Sequence, residues 1–253
     1  ASTSLIADST TTADADEITL RIGDATTLSL EQLAEGDLQR SGATLDEGGE
    51  EMTYAGTHVG EVVHNTLSVP RRKDFKVVLA DGTEVWLNAE SRLTYPNRFT
   101  DGERRVKLQG EAYFKVAVDR QHPFVVETDY MQTEVLGTEF NVRTYTADDC
   151  HVTLVKGGVR VSDAARRHVA ELRPGQDARL EPDAGFVLTQ VDTEAYTAWK
   201  DGLFYFDQAT LADIMRELGR WYDADVTFEA SADKNFRMRF LADRRGSLEQ
   251  VLD

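Results

Sequence analysis

The sequence predicts a mainly β protein: a large twisted antiparallel β domain followed by a small α+β domain of β-α-β repeats. Three observations predict it. Apolar and polar residues alternate from about Glu17 to Val191, a hairpin-like segment occurs twice within that stretch, and beyond Val191 the apolar spacing becomes helical.

Residues 1–16 are almost entirely Ala, Ser, Thr and Asp and read as a flexible tether. Residues 17–191 form the β domain. Alternation is clearest in Ile18-Thr19-Leu20-Arg21-Ile22 and Phe75-Lys76-Val77-Val78-Leu79, and turn pairs such as Asp81-Gly82 and Gly157-Gly158 break it. Sliding the first of these segments onto the second, without a gap, aligns Leu20, Ile22, Asp24, Thr26, Leu28 and Leu30 with Val77, Leu79, Asp81, Thr83, Val85 and Leu87. Apolar residues two apart on both sides of an acidic corner are what two strands sharing one buried face require, so each segment is predicted to be a β-hairpin.

Residues 192–253 form the small domain. Leu203-Phe204-Tyr205-Phe206 reads as a strand, Thr210 as a helix cap, and Leu211, Ile214, Met215, Leu218, Trp221 and Tyr222 as one face of an amphipathic helix. Val226-Thr227-Phe228 is expected to be the strand that closes this β-α-β unit. A further strand, Phe236–Phe240, leads to Ser247 and Gln250 at capping-box spacing, where Leu248, Val251 and Leu252 repeat the spacing of Leu211, Ile214 and Met215. The second motif breaks off at Asp253, so the small domain is read as incomplete and the chain as a fragment.

Composition narrows the function. Lys and Arg total 28 against 45 Asp and Glu, and the net charge of -17 would repel a phosphate backbone, so no nucleic-acid partner is expected. The basic runs Arg71-Arg72-Lys73, Arg104-Arg105 and Arg244-Arg245 read as solvated strand ends and loops. Cys150 is the only cysteine, the five histidines His58, His64, His122, His151 and His168 are dispersed, and no phosphate-cradling or nucleophile-elbow motif occurs. No metal, cofactor or catalytic residue is therefore expected, and the protein is read as a binder and not an enzyme. Two rival readings are an acidic β module that binds carbohydrate on Trp86 or Trp199, and a hydrolase with an unrecognised acidic pair. On the helix, only the polar side of Asp213, Arg216, Glu217 and Arg220 is expected to be free to meet a partner.

Ordered blocks of sequence then carry a resemblance. Ser68-Val69-Pro70, Leu79-Ala80-Asp81-Gly82-Thr83-Glu84-Val85-Trp86-Leu87-Asn88-Ala89 and Ser91-Arg92-Leu93-Thr94-Tyr95-Pro96 come first. Arg105-Val106-Lys107-Leu108-Gln109-Gly110-Glu111-Ala112-Tyr113-Phe114, Pro123-Phe124-Val125-Val126 and Val135-Leu136-Gly137-Thr138-Glu139-Phe140-Asn141-Val142 follow. Leu154-Val155-Lys156-Gly157-Gly158-Val159 and Leu172-Arg173-Pro174-Gly175-Gln176 complete the set. From Thr66 to Arg179 the chain resembles the FecR family of anti-sigma factors, and from Tyr196 onward it is similar to the secretin/TonB N-terminal-like domain that follows FecR domains. Arg71-Arg72 departs from the pattern, which has a Gly soon after the Pro.

The resemblance implies the periplasmic sensor region of a single-pass inner-membrane protein. Such a region binds the signalling domain of a TonB-dependent outer-membrane transporter and regulates an extracytoplasmic-function sigma factor through a cytoplasmic segment absent from this chain. The motif residues Asp81, Gly82, Thr83, Trp86, Asn88, Gly110, Glu111, Tyr113, Phe114, Gly137, Thr138 and Phe140 are expected to be structural. Tyr196, Trp199 and Gly202 are expected to form the hinge between domains, and Asp213, Arg216, Glu217, Arg220, Arg237 and Arg239 the partner-binding surface.

Overall fold

The computed structural model describes residues 16–25, 27–54, 60–100, 102–181, 184–229 and 233–252; residues 1–15 of the expected tether, and His58, lie outside the described residues. Among the described residues the alternating pattern folds as a curled sheet of seventeen strands. The first hairpin is β1 (Thr19–Ile22) and β2 (Thr27–Ser29), followed by a short helix α1 (Glu35–Ser41), a second hairpin of β3 (Ala43–Leu45) and β4 (Glu51–Tyr54), and β5 (His64–Val69). β6 (Phe75–Val78) and β7 (Glu84–Leu87) form the repeated hairpin, and β8 (Ser91–Pro96) leads into the long β9 (Arg104–Lys115). The remaining strands are β10 (Phe124–Glu127), β11 (Met131–Val135), β12 (Glu139–Thr144), β13 (Cys150–Lys156), β14 (Val159–Asp163), β15 (Val169–Leu172), β16 (Gln176–Glu181) and β17 (Gly185–Gln190).

The two predicted hairpins share one register. Thr19 faces Ser29 in the first, and their counterparts Lys76 and Trp86 face each other in the second. Pairing is antiparallel except where β4 meets β6 and β9 meets β10, which run parallel, so the sheet is less uniform than the alternation suggested. The helix α1 was not anticipated. It is a single short stretch in which only Ser41 is buried, too brief for an apolar period to show.

β9 organises the domain. Its first half pairs with β8 and β10, and its second half with β7 and β12, so one strand passes between the two halves of the sheet. The passage falls at Gly110, whose φ is +92°. A Cβ there would lie 2.5 Å from Ser91 Oγ and 2.7 Å from the Glu90 carbonyl, which is why this position has no side chain. One apolar core fills the space between the halves, drawing Leu20, Leu67, Leu93 and Phe124 from one side and Met52, Val77, Phe114 and Phe140 from the other. Each such side chain contributes about 1.5–3 kcal/mol by leaving water. Phe114 and Phe140 stack at 5.2 Å.

After β17 the chain makes two short helical turns, α2 (Glu194–Thr197) and a 3-10 turn over Ala198–Asp201, before the small domain of β18 (Leu203–Thr210), α3 (Leu211–Tyr222), β19 (Arg237–Asp243) and α4 (Leu248–Leu252). The Thr210 side chain accepts the Asp213 N–H at 3.1 Å, capping α3 as expected. At α4, Gln250 Oε1 accepts the Ser247 N–H and Ser247 Oγ accepts the Gln250 N–H, completing the predicted capping box. Strand then helix thus occurs twice, with β18 and β19 paired antiparallel. Val226–Phe228 is not a strand: among the described residues it has no ladder partner, and without one an alternating sequence cannot hold extended pairing. The small domain has its own apolar cluster, centred on Phe204, Ile214, Leu218 and Val251, which shares no residue with the larger core.

Candidate functional site at the domain joint

The charges that converge between the two domains come from separate local structures. Asn141 and Arg143 stand two apart on β12 and therefore share a face, and Glu217 and Arg220 stand three apart on α3 and do the same. Asn88 follows β7, Glu111 follows the bend of β9, and Arg244 follows β19. The fold brings them within hydrogen-bonding distance. Asn88 Nδ2 donates to Glu111 Oε2 at 2.9 Å and to Glu217 Oε1 at 3.2 Å, so a single amide bridges carboxylates from the two domains. Arg143 Nη1 repeats the bridge, at 3.2 Å to Glu111 and 2.9 Å to Glu217, while its Nε donates to Asp149 at 2.8 Å. Asn141 Nδ2 donates to Glu111 Oε1 at 2.9 Å, and Asn141 Oδ1 accepts the Trp199 indole N–H at 3.3 Å.

Arg244 enters from the other side and is 2% exposed. Its Nη2 donates to Asn88 Oδ1 at 2.8 Å and its Nη1 to the Trp199 carbonyl at 2.8 Å, and its guanidinium lies 3.7 Å over the Trp221 ring. Arg220 lies 3.7 Å over the Tyr145 ring and pairs with Glu217 at 3.2 Å. At the rim, Arg71 reaches Glu90 at 2.8 Å and Asp223 at 3.1 Å, and the Arg72 N–H donates to the Arg220 carbonyl.

The two central carboxyls differ. Burial pushes Glu111 up, and although Arg143 opposes this, the neighbouring Glu217 charge adds to it. Burial would also raise Glu217, but Arg143, Arg220 and Arg244 together outweigh burial and hold it below the ordinary carboxylate range. Arg244 is lowered by burial, against the pull of Glu217, Asp74 and Glu111. Beside this network lies a cleft of about 430 Å³, lined along β18 from Leu203 to Ala209 and faced by His151, Arg179, Asp213, Arg216 and Arg237.

Several sequence-derived expectations change here. Glu217 and Arg220 are not on a free surface, because they are buried against the β domain by Arg143, Asn88 and Tyr145. Asp213, Arg216, Arg237 and Arg239 are exposed, with Arg216 paired to Asp213 and Arg239 to Asp207. Arg244 and Arg104 are not solvated: Arg104 donates to Asp81 at 2.7 Å and to the carbonyls of Ala117 and His122. Arg71 is half-buried in the rim pairs, and Arg72 adopts φ +68°, the conformation that the glycine of the usual pattern supplies without strain. Asn88 and Glu111, read from the sequence as internal structure of the β domain, bear on the other domain. Their distance in sequence from α3 hid this.

Several of the remaining motif residues make their contacts within the β domain. Asp81 accepts the N–H and hydroxyl of Thr83, closing a turn over Gly82 at φ +83°. Tyr113 donates to Glu139, and Thr138 donates to the Gly158 carbonyl beside Gly137, which packs on Val118. Trp86 stands edge-on to Tyr113 at 5.7 Å, and Trp199 is buried at the joint, so the two do not form an exposed stacking strip for sugars. Tyr196 packs beside His151, and Gly202 caps the 3-10 turn at φ +80°.

Comparison with known proteins gives the class, a regulatory one. The FecR protein family matches residues 65–160, and the family described as FecR, C-terminal, matches residues 203–253. Two crystal structures of a proposed anti-sigma factor from Parabacteroides distasonis ATCC 8503, at 1.65 and 2.50 Å resolution, resemble the chain with TM-scores of 0.68 and 31% identity. They cover 74% and 75% of this chain and 88% of their own. No curated protein sequence matches. The chain belongs to the FecR family of anti-sigma factors. Among the described residues no helix is long and apolar enough to cross a membrane.

Proposed function

We propose that this chain is the periplasmic sensor region of its anti-sigma factor. It binds the signalling domain of a TonB-dependent outer-membrane transporter and passes the signal to an extracytoplasmic-function sigma factor. The transporter domain docks along β18 and over the cleft between the domains, with Tyr196, Trp199 and Gly202 as the hinge. The observation that carries this reading is the cleft itself: β18 pairs only with β19 among the described residues, and the exposed Asp213, Arg216 and Arg237 line the opening. A strand with an unpaired edge offers backbone donors and acceptors to an incoming strand, and charged neighbours select which strand docks.

Titration calorimetry with the signalling domains of the source organism's transporters tests the proposal. One of them should bind, and Arg216→Glu with Arg237→Glu should weaken it at least tenfold. Binding that is unchanged in the double variant would move the docking surface to the β domain, and no binding by any transporter domain would remove the proposal.

A further inference from the structure

The contact between the domains differs in kind from the packing within them. Each domain has an apolar cluster of its own, and among the described residues no apolar residue belongs to both. What joins them, beside the Tyr145 and Trp199 rings, is a set of ions and amides: Asn88, Glu111, Asn141, Arg143 and Asp149 on the β domain, and Glu217, Arg220 and Arg244 on the small one. An apolar interface loses its stabilisation in proportion to the area exposed on opening, whereas separated ions recover hydration that burial had removed. Such a joint is specific in the closed state and tolerable in the open one.

Arg244 connects the three moving parts. Its backbone N–H donates to the Gly202 carbonyl at 2.9 Å, and its guanidinium to the Trp199 carbonyl, so it grips the connecting turn twice. Its carbonyl accepts the Trp221 indole N–H at 2.7 Å, fixing α3 to the same residue. Its Nη2 crosses to Asn88, which also holds Glu111 and Glu217. The chain turns at Gly202 in the left-handed region, where glycine moves between conformations at little cost.

We propose that Arg244 is the pin of a releasable latch, through which the small domain is held closed on the β domain and swings about Gly202 when the pin is withdrawn. Closed, the latch fixes the width of the cleft along β18. Open, it uncovers the Glu217 and Arg220 side of α3 and the Arg143 and Asn88 side of the β domain together. Removing the guanidinium takes one of two donors from Asn88 Oδ1, which keeps the Ala89 N–H, and one of two from the Trp199 carbonyl, which keeps the Gly202 N–H, and it takes one cation from the surroundings of Glu217. Losing a hydrogen bond made by a charged group shifts an equilibrium by roughly tenfold to a hundredfold. The inference does not depend on which partner docks.

The test is a distance measurement across the joint, with spin labels at Val169→Cys and Leu241→Cys, both exposed positions in the two domains, and with the native Cys150 buried. The parent chain should give one narrow distance by double electron–electron resonance. Arg244→Met, and independently Asn88→Ala, should each add a second, longer and broader population. Hydrogen exchange in β9 and β12 should stay slow in both variants. An unchanged single distance in both would overturn the latch. So would the loss of β9 protection in Arg244→Met, since the joint would then be part of one cooperative core and not a separable contact.

Discussion

Gly110 and Gly82 both sit at positive φ, +92° and +83°, but their surroundings differ, and this separates two effects that usually come together. Among the described residues a Cβ at Gly82 meets nothing within 4 Å, whereas one at Gly110 meets Ser91 Oγ at 2.5 Å, the Glu90 carbonyl at 2.7 Å and Ser91 Cα at 2.8 Å. Gly82→Ala should therefore pay only the left-handed backbone term, about 1–2 kcal/mol. Gly110→Ala adds the displacement of a backbone that cannot rotate away, about 1–3 kcal/mol more, for a total of roughly 2–5 kcal/mol. At about 2–4 °C per kcal/mol for a chain of this size, the melting temperature should fall by a few degrees in the first variant and by about 4–20 °C in the second. Calorimetry or circular dichroism on the two variants side by side measures this. Equal losses would refute the argument that close approach at the β9 bend, and not φ alone, requires glycine there.

The Glu217 carboxyl is held low in the folded protein by Arg143, Arg220 and Arg244 against burial, so its contribution is present above its ordinary value of about 4.3 and is lost as pH falls below it. Glu111, raised by burial and by Glu217, acts in the opposite sense: its stabilising contribution is present below that value and is lost as pH rises through its raised one. Glu217→Gln should accordingly be less stable than the parent near pH 6, with the gap narrowing toward pH 3. Urea midpoints across that range check it, and curves that stay parallel would contradict it. Burial pushes the Cys150 thiol up to about 12, so a disulfide reagent should modify it only in denaturant. Stoichiometric labelling of the native chain would show that β13 opens readily.

What the sequence disclosed was whatever depends on neighbours in the chain. The two hairpins were legible because both faces of each lie within a dozen residues, and α3 because Thr210 and the apolar stripe from Leu211 to Tyr222 mark its start and its buried side. The domain joint depends on residues far apart. Arg244 and Asn88 are separated by 156 positions, so nothing local distinguishes this guanidinium from that of the exposed Arg245. Glu217 and Arg220 looked like an ordinary solvated face because an amphipathic pattern records which side is polar, not what covers it. Val226–Phe228 shows the converse limit, an alternating segment whose strand character depends on a partner.

Because the two cores share no residue among those described, mutations that repack one need no compensation in the other, and the domains are free to drift at different rates. Only the few side chains that meet across the joint inherit a mutual constraint. In a family of such proteins, Asn88, Glu111 and Arg143 should change together with Glu217 and Arg244 more often than with their own domain neighbours, leaving a record of docking in the variation itself.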